Sequence, residues 1–476
     1  MFSLQTLFMK LIMNYLYPKF KKYYIVASLF LFSCSGPDDL DLVNTKSEVI
    51  TFQENAQKEN NLPSMRISTI GQVIVDEPKI NAELIVSENN IESNYKIGIE
   101  IRGSSSQMFP KKSYGFETKS DDWSEDLDVS LGGFPEEEDW ILYGPYSDKS
   151  LIRNKLTFDL SNSIGYKASN VKFYNLYIDN DYKGLYVLME KIKRDENRVN
   201  ITKLEFDSVD GGYIIKIDKP TSDGGGCNKC YDNSFSFRSS FDQNGNISED
   251  SSIYFIYHYP KPEDIFNNQK NHISSIINVF ESVLSSDNFD DPEIGYRSII
   301  DVDSFIDFFI MNEITKNIDG YRLSTFINVD IDKKIKMGPI WDFNLAFGNA
   351  DYCDAANTQG WLYNFNSICP GDIWQVPFWW RRLMESVYFK QRLKEKWQLY
   401  RSNNLSNANI ESQIDSYVEY LNTNNVVSEN FYKWPILSKY VWPNYFIGAT
   451  HESEINYLKG WINQRLNWLD GQINNF

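Results

Sequence analysis

Apolar residues recur along this chain with two different periods. A period of two, the mark of a half-buried strand, runs through residues 65–70, 80–86 and 95–101. It is clearest in Lys96-Ile97-Gly98-Ile99-Glu100-Ile101, and it resumes over 109–117, 171–178, 184–190 and 212–217. The polar run 179–183 joins two of these as a hairpin. Helical spacing predicts helices over 148–164, 262–284, 302–314, 376–400 and 455–473. For the first, Ser147 is the expected N-cap, with Asp148 in the first turn and Gly165 past the end. The strongest is 302–314, with Phe305, Ile306, Phe309, Ile310 and Ile314 on its apolar positions. Two short strand-like runs, 323–329 and 334–337, form a late hairpin around the polar turn 330–333, while 221–234 and 424–448 read as loops. The pattern predicts an α+β protein: a strand-rich first half with one helix, then a mainly helical second half with a hairpin near the join. A cleft between such unlike lobes is a natural ligand site.

A chain of 476 residues is long enough for two lobes around a large core, and 42% hydrophobic with 15% aromatic residues marks a folded body. The aromatics of 376–400, including Phe378, Trp379 and Trp397, are expected to be core. A formal charge of −18 argues against a general nucleic-acid binder, which needs Lys and Arg to neutralise phosphate.

The start of the chain reads as a targeting segment. Lys19, Lys21 and Lys22 precede a short apolar run, 24–32, and then Leu31-Phe32-Ser33-Cys34-Ser35. A small residue before a cysteine resembles a bacterial lipobox. The expectation is a signal peptide over 1–33, lipidation of Cys34, a polar tether over 34–62, and export to a bacterial membrane, at the cell surface or on the periplasmic face. A signal anchor is the other reading. Export permits disulfides. Four further cysteines allow three pairings, and the sequence-local one, Cys227–Cys230 with Cys353–Cys369, is expected. A zinc site fits less well, because Cys227-x-x-Cys230 lies in a Gly-rich loop and the chain has three His.

Candidate chemistry concentrates in 312–346. Asp319 follows the strongest helix, and Asp342 follows the hairpin and the turn signal Gly338-Pro339. Two acids brought together by a hairpin suit metal-assisted group transfer, one orienting or deprotonating a nucleophile and one holding a cation. The plain alternative is a turn cap and a solvated loop residue. Upstream, Arg102-Gly103-Ser104-Ser105-Ser106 is a small-residue loop followed by Lys111 and Lys112. Such a loop can cradle phosphate with its N–H groups and hydroxyls, although a turn with a solvated lysine pair has the same composition.

Five spaced segments together resemble the spore-coat protein H (CotH) kinase family. They are Ile101-Arg102-Gly103-Ser104-Ser105-Ser106 with Phe109-Pro110-Lys111-Lys112-Ser113-Tyr114; Asp139-Trp140; Asp148-Lys149-Ser150 with Arg153-Asn154; Gly184-Leu185-Tyr186 with Glu190-Lys191; and Gly338-Pro339-Ile340-Trp341-Asp342-Phe343. The resemblance implies a bilobal atypical protein-kinase-like fold, with a strand-rich N-lobe over 63–220 and a helical C-lobe over 221–476 that carries the catalytic and metal-binding hairpin at 312–350. It implies ATP with Mg²⁺ or Mn²⁺ and a protein acceptor. By the same resemblance, Arg102, Gly103, Ser104, Ser105 and Ser106 cover the phosphates, and Lys111 or Lys112 contacts them. Helix 148–164 takes the place of the regulatory helix, and Glu190 lies near the adenine. Asp319 is the catalytic acid, and Asp342 holds metal with Asn344 and Ser324. The pattern departs from that of protein kinases at Asn317-Ile318, which replaces His-Arg, and at Ser324, which replaces a metal-binding Asn; Asn328 lies further on. Asn344 stands where many relatives have a second Asp.

Three functions follow: an exported kinase that phosphorylates protein Ser/Thr hydroxyls; a non-catalytic, pseudokinase-like surface lipoprotein that binds protein or glycan; and a glycan-processing enzyme with paired carboxylates. The phosphate-cradle loop argues against the third.

Overall fold

The structure is a computed structural model and describes residues 62–220, 233–332 and 334–476. Cys34, Cys227 and Cys230 lie outside them, as does nearly all of the loop expected at 221–234. The described residues form a mixed α+β structure with two sheets. The first is a closed barrel of β1 (Ser64–Ser68), β2 (Ile80–Glu88), β3 (Ile91–Arg102), β4 (Ser113–Lys119), β5 (Asp139–Tyr143), β6 (Val171–Ile178) and β7 (Asp181–Glu190). Its order is β1-β2-β3-β4-β5-β7-β6, and a parallel β1–β6 pair closes it with Met65 opposite Leu176.

Local chemistry sets the barrel's hairpins. Asn89-Asn90 and Asp179-Asn180 both carry positive φ at the two central positions, the left-handed pair that matches strand twist in a two-residue turn. The second turn is therefore tighter than the five-residue connection expected at 179–183. The Asp179 carboxylate accepts from Thr69 N and Oγ1, both at 2.8 Å, and ties the β1 end to the closing seam. Alternation fills the interior with Ala82, Leu84, Ile97, Ile99, Phe116, Trp140 and Leu176. On β5, β6 and β7 the outer face is buried too, through Ile141, Phe173, Val187 and Met189. These share a core with Leu156, Phe158 and Leu160 of helix α1 (Arg153–Ser163).

α1 begins five residues later than its sequence pattern suggests, and Ser147 is not its cap. Leu151 has φ +68°, which no helix accommodates. Asp148, fully buried, instead accepts from Ser150 N, Ser150 Oγ and Arg153 N and pairs with the Arg153 guanidinium.

The second sheet has the order β12-β11-β8-β10-β9: β8 (Tyr213–Ile217), β9 (Ser236–Arg238), β10 (Tyr254–Tyr259), β11 (Thr325–Val329) and β12 (Ile335–Met337). β8 precedes the expected boundary at 220, yet its partners are β10 and β11. The helices that follow are α2 (Asn267–Ser285), α3 (Val302–Thr315), α4 (Phe365–Ile368), α5 (Trp379–Leu383), α6 (Val387–Arg401), α7 (Asn407–Thr423), α8 (Val426–Lys433) and α9 (His451–Ile473), of which α3 packs on β12 and α8 on β7 of the barrel. Every residue of α3 from Phe305 to Thr315 is buried, with Phe305, Phe308 and Phe309 against Trp380. The 376–400 pattern divides into α5 and α6 because Ser386 caps a fresh start, its Oγ accepting from Phe389 N at 3.1 Å. Phe378, Trp379 and Trp397 are core, as expected, while Tyr388 of the same stretch is exposed. The segment expected as loop at 424–448 contains α8.

Candidate active site

Three loops leave the same end of the second sheet. The antiparallel register pairs Ile217 with Thr325 and Ile327 with Met337. The end of β8, the start of β11 and the end of β12 are thus neighbours. Asp218 follows β8, Asp319 lies in the turn before β11, and Asp342 lies in the loop after β12. Strand β3 of the barrel brings Arg102 to this end, with its guanidinium 5.8 Å from the Trp341 ring centroid.

The Asp319 turn is built from the end of α3. Lys316 takes a left-handed φ of +42°, and its buried ammonium donates to the carbonyls of Asp354, Asn357 and Gln359 at 2.8–2.9 Å. Gly320 N donates to Asn317 O at 2.7 Å and Leu323 N to Asp319 O at 2.9 Å. A Cβ on Gly320 would sit 2.9 Å from the backbone Asn317 O as well as 2.2 Å from Asn312 Oδ1, so the turn next to Asp319 favours glycine. Arg322 orients the acid: its Nη2 is 2.9 Å from Asp319 Oδ1, and its Nη1 is 3.3 Å from Asp372 Oδ1.

The Asp342 loop is held from the other side. Asn317 Nδ2 donates to Asp342 O at 3.1 Å. From the first turn of α1, Asn154 Oδ1 accepts from Phe343 N at 2.7 Å and Arg153 Nε donates to Ala346 O at 3.0 Å. Asp342 itself has φ +64°, while Tyr321 and Ser324 have +69° and +48°. Each such non-glycine residue costs about 1–3 kcal/mol and persists only where the surroundings over-determine it; such residues gather at functional sites.

The electrostatics are those of crowded acids. Burial pushes the Asp342 carboxyl up to about 7, and the charges of Asp319 and Asp218 add to the shift, against Arg102 and Lys219. Asp319 is also raised, by burial first. Arg322 and Lys219 oppose that shift, and Asp218 and Asp372 reinforce it. Tyr352 is raised by burial and by the same Asp319 and Asp342 charges, which places it in the field of both acids.

The other predicted residues distribute as follows. Ser324 precedes β11, and Asn344 follows Asp342 by two, its main-chain carbonyl accepting from Asn349 Nδ2 at 2.8 Å. Asn328 is used by the hairpin, donating to Gly338 O at 3.1 Å. Arg102 ends β3 and Gly103 follows it, and Ser105 and Ser106 open a short 3₁₀ turn that Ser104 precedes. Gly103 has φ +105°, and Gln107 Nε2 closes the loop onto Gly103 O at 2.6 Å. The Lys111 ammonium is buried elsewhere, donating to Asn430 Oδ1 of α8 at 2.9 Å and Pro145 O at 3.3 Å, 5.1 Å from the Tyr186 ring centroid. Burial alone holds that amine well below its ordinary value. Lys112 donates to Gln107 O at the end of the 103–108 loop. Glu190 closes β7 opposite Trp140. Its Oε2 accepts from Asn170 N at 2.8 Å, and its buried Oε1 has no hydrogen-bond partner among the described residues.

Asp218, Lys219, Arg322 and the Arg153-Asn154 anchor were not legible as site residues. The one signal for Asp218 was an acid directly after an apolar strand, and Asp179 gives the same signal at an ordinary turn.

The Cys353–Cys369 disulfide forms as expected and lies three residues before Asp372, the second partner of Arg322. Its sequence separation is 16, so reduction or Cys353→Ser should cost about 3 kcal/mol. The check is a lower urea midpoint with an unchanged slope.

The half-buried Asp218, Asp319 and Asp342 stand on loops from one sheet end, with the Ser324 hydroxyl and the Asn344 side-chain amide on the same loops, and hard oxygens of these kinds are what Mg²⁺ or Mn²⁺ takes. The mutual repulsion of the acids is relieved by a cation or a proton. The residues present therefore fit a divalent ion, with Arg102, Lys219 and Arg322 placing positive charge around it. A family model described as "CotH kinase protein" matches residues 99–469. No curated protein matches the chain.

Proposed function

The chain belongs to the CotH kinase family, and on that premise we propose that it transfers the γ-phosphate of ATP to Ser/Thr hydroxyls of a protein acceptor with a divalent metal. The barrel and the helical body around the second sheet take the parts of the two kinase lobes. The observation that carries the reading is that loops from one sheet end bring the charge of Asp319 onto Asp342 while holding Asp342 in a left-handed conformation.

Asp342, with Asn344 and Ser324, would hold Mg²⁺ or Mn²⁺, which supplies neutralisation of phosphate charge when bound. Arg102, Gly103, Ser104, Ser105 and Ser106 cover the phosphates. Lys112, at the end of that loop, is the better placed of the lysine pair to reach them, since Lys111 is committed to α8. Asp319 accepts the proton of the attacking hydroxyl, and Arg322 aims its carboxylate. Glu190, at the end of β7 with its buried Oε1 unpaired among the described residues, would be the residue nearest the base. Lipidation of Cys34 would tether the enzyme to a bacterial membrane after export.

A second reading, a non-catalytic surface protein, draws on the same Arg322 pair, because the guanidinium engages the Asp319 carboxylate and opposes the rise that burial gives it. Incubation with labelled ATP, Mg²⁺ or Mn²⁺ and a generic acceptor separates the two, the kinase reading expecting label on the acceptor. ATP with metal at about 100 times Kd should stabilise the fold by about 2.7 kcal/mol, read as a higher melting temperature. The absence of that shift in either metal sinks both nucleotide binding and catalysis. A shift without label transfer selects the second reading.

A further inference from the structure

The metal set named so far has a weak member. Ser324 occupies the position where a kinase places an Asn, and a neutral hydroxyl is a poor ligand for Mg²⁺ or Mn²⁺. The strand register sets a stronger group beside it. Ile217 of β8 is paired with Thr325 of β11, so the next residue along β8, Asp218, lies alongside Ser324. Asp218 is positioned from several directions. Its N–H donates to Tyr254 O at 3.3 Å, its Oδ1 accepts from Lys219 N at 2.9 Å, and its Oδ2 is 3.1 Å from Lys216 Nζ. Its charge bears on both Asp319 and Asp342.

We propose that Asp218 supplies the carboxylate that the 319–344 segment lacks at Ser324, completing with Asp342 the oxygen set that holds the divalent cation. This rests on the kinase reading and adds to it a ligand from a different strand, about a hundred residues upstream. The alternative role, a purely structural ion pair with Lys216, predicts different behaviour.

The test is Mn²⁺ binding followed by the electron paramagnetic resonance signal of the free ion, with and without a non-hydrolysable ATP analogue. Asp218→Asn should weaken Mn²⁺ binding at least ~10-fold, the lower bound seen even for residues that only support metal ligands. Lys216→Met, which removes the ion pair and keeps the carboxylate, should bind Mn²⁺ like the wild type. Unchanged affinity in Asp218→Asn overturns the proposal, as does an equal loss in Lys216→Met. If Asp218→Asn does not fold, Asp218→Glu carries the test. It keeps the charge and displaces the oxygens, so weaker Mn²⁺ binding at an unchanged melting temperature is expected, and unchanged affinity overturns the proposal. Wild-type protein that takes up no Mn²⁺ with the analogue overturns the kinase reading and this proposal together. Uptake that survives in Asp218→Asn overturns the proposal alone.

Discussion

Asp342→Asn should abolish metal-dependent nucleotide binding and make the ligand-free protein more stable at neutral pH. Both effects come from one cause. The Asp342 carboxyl is held up to about 7 by burial and by the neighbouring acids. Its value in the unfolded chain is about 3.9. Between those limits the native state binds a proton that the unfolded state has lost. The stability from this group is therefore fully present below about pH 4 and is lost as pH rises through about 7. Asparagine keeps the shape and removes the repulsion, so the decline over that window should flatten in urea titrations taken across pH. A cation takes the place of the proton in the wild type, so divalent-ion affinity should rise as pH passes through about 7. Asp319→Asn should behave differently. It should keep the metal-dependent thermal shift and lower kcat by ~10²–10⁴-fold, the range for a lost general base. If the two variants lose nucleotide binding equally, the division of labour between the acids is wrong.

Arg465→Met should be the most damaging single change to stability, at about 3–5 kcal/mol. Arg465 on α9 is fully buried, and its Nη2 lies 2.9 Å from Glu313 Oε2. Its Nε donates to Glu313 O at 2.7 Å, and its Nη1 to Thr358 O at 3.1 Å and Gly360 O at 2.7 Å. Glu313 in turn accepts from Leu362 N at 2.9 Å, Tyr363 N at 3.0 Å and Tyr321 Oη at 3.1 Å. Burial raises the Glu313 carboxyl, and Arg465 is the charge that opposes the rise. Without Arg465 the acid is buried and unpaired, so the loss should shrink in acid, where Glu313 is protonated. The double variant Glu313→Gln with Arg465→Met should recover part of the loss, because no bare charge then remains inside. Equal urea midpoints for single and double variants would show that the pair is not the unit of stability. The network joins the end of α3 to Tyr321, two residues past Asp319, so Arg465→Met should also weaken nucleotide binding.

Much of the chain was legible from its local pattern. The runs at 171–178 and 302–314 fall within a residue of β6 and α3, because their apolar periodicity is strong and tertiary contacts only confirm it. The Asp319–Asp342 stretch stood out because two acids flank a hairpin, and the register of β11 with β12 does set their loops on one sheet end. Where local pattern misled, a tertiary contact had won. α1 starts late because Asp148 is engaged with Arg153 and Leu151 turns left-handed. α8, expected as loop, is anchored through Asn430, which accepts from both Lys111 Nζ and Leu185 N.

The order of residues along the chain by itself determined the α+β class, the principal strands and helices, the Cys353–Cys369 bridge and two of the three acids at the candidate site. Each of these depends on periodicity or on neighbours close in sequence. Tertiary structure alone decided the closed barrel, the burial of Lys111 away from the acids, and the arrival of Asp218 and Arg102 beside Asp342. Those outcomes rest on strand registers between segments far apart in sequence, where one residue of slip would turn every side chain to the other face. No local pattern carries that information.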